Sequence, residues 1–374
     1  MKIAIIGTAY PYRGGLAAFN ERLAKEFITQ GHEVEIYTFT LQYPAFLFPG
    51  KTQYSNEPAP ERLKIYRKIN SINPLNWIKV GREICKKQPD LVITKFWLPF
   101  MSPCLGTIAR IIRRNKKTCV ISILDNLIPH EKRIGDQMFI KYFVGSVDGF
   151  LAMSHSVLTD IDIFNKKKVR IFSPHPLYDN FGEKVSRNEA IQKLNLDKNA
   201  HYILFFGFIR NYKGLDLLLE AFSNRRFRQK NIKLLVAGEF YNNSEQYFAL
   251  EKRLNLQGEI VWRTNFIPDS DVRYYFAVAD IVVQPYKTAT QSGVTQIAYH
   301  FEKPMLVTNV GGLAEIVPDG KVGYVVEPVA EAVADAMADF FENNRQNDFS
   351  ENIVKEKEKY SWGRMTENIN KIIQ

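Results

Sequence analysis

TATQSGVTQIAYHFEKPMLVTNVGGLAEIV, residues Thr288–Val317, is the stretch around which this chain is organised. It reads as a polar loop, a short helix from about Val294 to Phe301, a buried strand Met305–Thr308 and a glycine turn at Gly311-Gly312, with Glu315 soon after. A helix start leaves backbone N–H groups unpaired and carries partial positive charge, which suits a phosphate. Gly293 lets the backbone approach a ligand, and Ser292 and Thr295 bring hydroxyl donors. The same residues would also serve as an ordinary loop–helix–strand turn.

Working outward, the chain alternates short apolar runs with amphipathic segments. Lys2–Ile6, Glu33–Phe39, Leu91–Thr94, Thr118–Leu124, Gly149–Met153 and Val169–Phe172 read as buried strands. Leu16–Thr29, Leu75–Lys87 and Thr107–Arg114 read as helices between them. The alternation starts again with strands at Tyr202–Phe206, Lys233–Ala237, Ile260–Trp262, Asp280–Gln284 and Met305–Thr308. Leu215–Phe222, Glu245–Leu254, Asp271–Val278 and Ala330–Glu342 read as the helices of this second half. Strand, helix, strand with turn punctuation implies parallel sheets covered on both faces. Ser173–Ser186, rich in Pro, Asn, Asp and Gly, reads as the linker. The expected domains are 1–175 and 187–360, with a last helix at 361–374. Ligands of open parallel sheets bind outside the carboxyl ends of the strands. That selects the loops Gly7–Gly15, Asp125–Arg133, Gly207–Gly214, Gly238–Asn243 and the opening stretch.

Composition bounds the partners. Of 374 residues 45% are hydrophobic and 13% aromatic, enough to fill two cores. Cys85, Cys104 and Cys119 are far apart and form no metal spacing, which fits a reducing compartment. The apolar run after Met1-Lys2 is too short for a signal peptide, and no run approaches the length of a membrane span. The expected location is cytoplasmic, free or peripheral at the inner face of the membrane. A net charge of +10 points to anionic partners: nucleotides, lipid phosphates, membrane surfaces or nucleic acid.

Several motifs carry chemistry. Gly7–Gly15 is glycine-rich, yet it matches neither G-x-G-x-x-G nor the P-loop pattern, so Gly14-Gly15 would equally be a turn at a helix start. Gly207-Phe208-Ile209-Arg210-Asn211-Tyr212-Lys213-Gly214 leads into the apolar helix Leu215–Phe222. Its two cations, Arg210 and Lys213, suit an anion or are simply solvated basic residues on a loop. Asp125–Glu131 follows a strand and contains His130. Asp160-Ile161-Asp162 falls in a helical segment where alternate residues diverge, and Asp269-Ser270-Asp271 reads as a helix start capped by Asp269 or Ser270, so neither pair reads as a metal site. Arg110, Arg113, Arg114, Lys116 and Lys117 follow the aromatic run Phe96–Phe100, a pattern that would dock on anionic lipid or simply be a solvated face. No aromatic–basic pattern of a nucleic-acid module occurs.

Ser292-Gly293, the helix, Lys303-Pro304, the strand and Gly311-Gly312-x-x-Glu315, together with Lys213-Gly214 before an Ala-Phe-ending helix, resemble the nucleotide-sugar site of glycosyltransferase family 4. The resemblance spans nearly the whole chain. It implies an α/β GT-B fold, two Rossmann-like domains facing each other across a cleft, and a retaining hexosyltransferase. It implies a nucleotide-diphosphate sugar held by the C-terminal domain, a glycan or lipid-linked acceptor at the N-terminal domain, and no metal or other cofactor. His130, Arg210 and Lys213 would then be catalytic. Gly14, Gly15, Gln291, Ser292, Gly293, Val294, Thr295, Gln296 and Glu315 would contact the donor. The family's two glutamates, eight positions apart in the opening stretch, are missing. Counting back from Pro304 puts Ile297 at the second, with Gln296 beside it, and Gln291 is the polar substitute near the first. The Ser-Gly-x-x-Gln form also resembles the helix start of UDP-N-acetylglucosamine 2-epimerases. A UDP-sugar 2-epimerase and a non-catalytic nucleotide-sugar-binding protein are therefore the alternatives.

Overall fold

The structure is a computed structural model and describes residues 1–44, 53–55, 58–129, 133–227, 231–241, 244–289 and 292–373. The chain forms two compact units, Met1–His175 with Ser361–Gln374, and Pro176–Tyr360.

Unit 1 is built on a parallel sheet. Its strands are β1 (Lys2–Ile6), β2 (Glu33–Leu41), β3 (Lys64–Asn70), β4 (Leu91–Phe96), β5 (Cys119–Leu124), β6 (Gly149–Ala152) and β7 (Val169–Phe172), in the order β3-β2-β1-β4-β5-β6-β7. β4 is buried at every residue, as expected of a central strand covered on both faces. β3, at the edge, is charged and largely half-exposed, so its sequence carries little apolar signal and it went unpredicted. Helix α1 (Gly15–Thr29) starts after Gly14 and stops before Gly31, both in left-handed backbone that glycine adopts without strain. The helices α2 (Pro74–Lys87), α3 (Ser102–Arg113), α4 (Asp136–Val144) and α5 (His155–Phe164) share one core on one face of the sheet. α1 and the last helix, α14 (Trp362–Ile373), share another. In α14 the residues Trp362, Met365, Ile369 and Ile372 recur at helical spacing and are buried there.

Unit 2 repeats the plan. Its strands are β8 (His201–Phe206), β9 (Ile232–Ala237), β10 (Ile260–Arg263), β11 (Ile281–Gln284), β12 (Met305–Thr308) and β13 (Gly323–Val326), in the order β10-β9-β8-β11-β12-β13. All described pairings of both sheets are parallel. The helices are α6 (Arg187–Leu194), α7 (Leu215–Phe222), α8 (Glu245–Arg253), α9 (Asp269–Val278), α10 (Gly293–His300), α11 (Leu313–Ile316), α12 (Ala330–Glu342) and α13 (Gln346–Glu356). The expected cap of α9 is corrected: Pro268 occupies the cap position, so Asp269 and Ser270 lie inside the first turn. The strand order reverses direction between β8 and β11, which makes their carboxyl ends the topological switch point of this sheet.

Candidate functional site

The loops leaving β8, β9 and β11 are tied together at the carboxyl end of the unit 2 sheet. Ile209 N–H donates to Glu239 O at 2.8 Å, and Tyr241 N–H donates back to Ile209 O at 3.0 Å. A short turn over Asn211–Lys213 follows, closed by Lys213 N–H to Arg210 O at 3.0 Å. Gly214 ends it with a φ of 67°, and a Cβ there would lie 1.9 Å from Pro285 O, so only glycine fits. Lys287 N–H donates to Tyr212 O at 2.7 Å and fastens the β11 loop to this turn.

Three cations stand on these loops, and only one is neutralised. Lys287 meets Asp216 at 2.5 Å. Lys213 and Arg210 have no carboxylate partner among the described residues. Arg210 instead lies over the Tyr241 ring, its Cζ 3.7 Å from the centroid. Lys213 Nζ sits 5.6 Å from the centroid of Tyr286 and 3.0 Å from where a Cβ on Gly207 would stand. Burial, and then the charge of Arg210, push the Lys213 ammonium down to about 8. A half-buried cation held with a second cation beside it is an arrangement that an anion relieves.

The start of α10 lies against the same place. Tyr286 Oη and Ser292 Oγ are 3.2 Å apart, and Val294 Cγ2 lies 3.7 Å from the Cβ position of Gly207. Ser292 is the cap residue of α10, in extended backbone, and no side chain caps the helix. The N–H groups of Gly293, Val294 and Thr295 are therefore first-turn donors without an intrahelical acceptor. Gly207, Arg210, Lys213, Ser292 and Val294 are thus gathered at one end of one sheet.

Other predicted residues fall differently. Thr295 is fully buried and its hydroxyl donates to Gln284 Oε1 at 3.2 Å, so its remaining offer to a ligand is the backbone N–H. Gln296 is fully buried, with neither amide atom hydrogen-bonded, and the Gln284 amide nitrogen is likewise unpartnered. The Tyr178 ring occupies the space beside Gly293, and a Cβ there would come within 2.7 Å of it. Glycine at 293 is thus demanded by packing against Tyr178. Glu315 is exposed on the four-residue α11, just past Gly311, whose φ is 52°. In unit 1, Gly14 has a φ of 99° with open space where a Cβ would be, and Gly15 begins α1. His130 and Gln291 lie outside the described residues. The sequence reading missed Tyr286, Tyr241 and Tyr178. Tyr286 follows β11 and Tyr241 lies in a selected loop, so position marked them. Tyr178 sits in the stretch read as linker and carried no such signal.

Neither acidic pair forms a metal site. Asp162 is bound to Arg170 at 2.5 Å, and no cluster of three metal-ligating side chains occurs among the described residues. A cavity of about 300 Å³ opens between α7 and α8, with Asp216, Glu220 and Arg253 in its lining.

Residues 186–359 match the family Glycosyl transferases group 1. The chain is a glycosyltransferase of the GT-B fold, and its group 1 match lies within unit 2. It is 24% identical over 336 residues to an uncharacterized glycosyltransferase of Methanocaldococcus jannaschii, covering 87% of this chain and 84% of that one. It is 30% identical over 147 residues to the lipopolysaccharide 1,2-N-acetylglucosaminetransferase of Salmonella typhimurium, covering 37% of this chain and 38% of that enzyme. The Anabaena protein HepE in complex with UDP and glucose superposes with a TM-score of 0.71 at 16% identity, over 99% of this chain and 98% of that one. No described helix of this glycosyltransferase is long and apolar enough to cross a membrane.

Proposed function

We propose that this glycosyltransferase moves a sugar, with retention, from a nucleoside-diphosphate sugar to a glycan or lipid-linked acceptor in cell-surface polysaccharide or lipopolysaccharide-type synthesis. One observation carries the reading: Arg210 and Lys213 stand without carboxylate partners beside the uncapped start of α10. The lipopolysaccharide enzyme among the relatives favours this acceptor class, and the UDP in the HepE complex makes UDP-sugars the first donors to try.

In this mechanism unit 2 holds the donor and unit 1, through Gly14, Gly15 and His130, receives the acceptor. The bond from the anomeric carbon to the diphosphate oxygen breaks, and the electron pair stays on that oxygen. Arg210, Lys213 and the N–H groups of Gly293–Thr295 stabilise the charge that develops there. The acceptor hydroxyl attacks from the leaving-group side, forms the new glycosidic bond and gives its proton to the departing diphosphate. Orienting the two substrates supplies a further part of the acceleration. The cations and the helix start do the charge work of a metal, so none is required. Neither of the family's glutamates is present: Gln291 stands near the first position and Ile297 at the second, with Gln296 beside it, which leaves the donor sugar and ribose contacts without a carboxylate.

The test is a donor screen. UDP-, GDP- and ADP-sugars are compared by thermal shift, which rises with binding by mass action. The matching donor is then incubated with and without lipid-linked acceptor extract. The account predicts nucleoside diphosphate release that needs acceptor. Epimerised sugar without acceptor, or no release with any acceptor, contradicts it.

A further inference from the structure

We propose that Gln284, the last residue of β11, is a positioning residue for the donor: through the Thr295 hydroxyl it holds the first turn of α10 where its N–H groups meet the diphosphate. The proposal rests on the donor reading above. The strand is Ile281-Val282-Val283-Gln284, buried at every residue. Its three apolar side chains are what a strand covered on both faces requires. The fourth is an amide, 1% exposed. Burying an amide is costly where its polar atoms find no hydrogen bond. Gln284 Oε1 accepts from Thr295 Oγ1 at 3.2 Å, and Nε2 has no partner among the described residues. A leucine would fill this strand end without that cost, so stability does not account for the glutamine. What glutamine supplies, and leucine cannot, is the acceptor for Thr295.

Thr295 is the third residue of α10 and is fully buried. A threonine in a helix commonly returns its hydroxyl to a carbonyl of the preceding turn. Thr295 sends it across to the strand instead. The cap residue is tied to the same stretch, since Ser292 Oγ lies 3.2 Å from Tyr286 Oη. Tyr286 is itself held, its carbonyl accepting from Thr308 Oγ1 at 2.5 Å. The first turn of α10 is thus fastened at its cap and at its third residue to Gln284–Tyr286. Pro285, between the two ties, closes against Gly214, where a Cβ would lie 1.9 Å from the Pro285 carbonyl oxygen. Gly214 ends the turn that carries Lys213, with Arg210 at its start. One three-residue stretch therefore sets the helix start against both cations. If the Thr295 tie is cut, the turn is held at the cap alone, and the hydrogen bonds from Gly293, Val294 and Thr295 to a phosphate lose their alignment together.

The test titrates UDP, GDP and ADP into the full chain and reads affinity beside melting temperature. For the nucleoside diphosphate that binds, Gln284→Leu and Thr295→Val should each weaken binding about tenfold. Gln284→Leu/Thr295→Val should bind no more weakly than either, because the two side chains form one link. This variant removes both partners of the bond and should melt at or above the wild-type temperature, so weaker binding at undiminished stability separates positioning from loss of fold. Thr295→Ser keeps the hydroxyl and should bind as the wild type does. Its contrast with Thr295→Val decides the matter even where the apolar variants melt early. Wild-type affinity in Gln284→Leu/Thr295→Val, losses that add, or a loss in Thr295→Ser equal to that in Thr295→Val would overturn the proposal. The donor reading fails separately, if Arg210→Ala/Lys213→Ala binds as the wild type does. Weaker binding in that variant with no change in the Gln284 and Thr295 variants would sink the positioning role alone, and a wild type that binds none of the three nucleotides would sink both.

Discussion

At the carboxyl end of β4 in unit 1, Lys95 is sealed from solvent, meets Asp125 at 2.8 Å and lies 3.4 Å over the Phe19 ring. Just past the carboxyl end of β8 in unit 2, Lys213 and Arg210 lie against the aromatic faces of Tyr286 and Tyr241, with no carboxylate partner among the described residues. Both places are strand ends of parallel sheets, and both put cations against rings. The difference is the carboxylate. In unit 1 the countercharge is part of the chain, so the lysine serves the fold. In unit 2 no described residue supplies one to Lys213 or Arg210, and under the proposed function the donor's diphosphate would bring it.

That contrast is open to being broken, starting with the largest effect. Lys95→Met removes the cation that meets Asp125 and should cost about 3 kcal/mol of stability, read as a lowered melting temperature. Lys95→Met/Asp125→Leu should recover most of it, because a buried pair and an apolar replacement are close in free energy. A wild-type melting temperature for Lys95→Met would contradict the structural role. Lys213→Met should do the reverse, melting at or above the wild-type temperature while turnover falls about 100-fold.

The third prediction uses protons. Lys213 titrates near 8 because burial and Arg210 disfavour its charge. Below that pH it is cationic and meets the diphosphate; above it the free protein must first take up a proton. Nucleoside diphosphate affinity should therefore fall by up to about tenfold per pH unit above 8, and Lys213→Met should flatten the profile. The stability of the free protein should move the other way. The unfolded lysine still holds its proton up to about 10.4, so this site favours the folded state increasingly between the two values. A flat affinity profile in the wild type would remove Lys213 from the diphosphate. The smallest effect is expected at Lys287. Its pair with Asp216 is partly exposed, so Lys287→Ala should change stability by under about 1 kcal/mol and turnover only slightly.

Much of this was legible in the sequence because the strands that position the site are continuous β-branched or leucine runs with turn signals after them. β12 and the last helix fall where the periodicity puts them, and α10 begins one residue early. Of the four edge strands, β7 and β10 were legible and β3 and β13 were not. β3 is too charged, and β13, Gly323–Val326, is short and follows a glycine turn. α4 was missed because Met138–Val144 is too apolar to show a helical face. At the site, the sequence indicated which residues could meet a phosphate and not what else they touch. That Thr295 spends its hydroxyl on Gln284, and that Gly293 is small because of Tyr178, are facts of tertiary packing between segments distant in the chain.

The central claim is that unit 2 leaves a pair of cations for a diphosphate. Titration calorimetry of UDP, GDP and ADP against the wild type and Arg210→Ala/Lys213→Ala at neutral pH tests it most directly. The account predicts that the wild type binds at least one of the three and that the double variant, with an undiminished melting temperature, binds it at least about 100-fold more weakly. Equal affinity in the two proteins, or no binding of any of the three to the wild type, would contradict it.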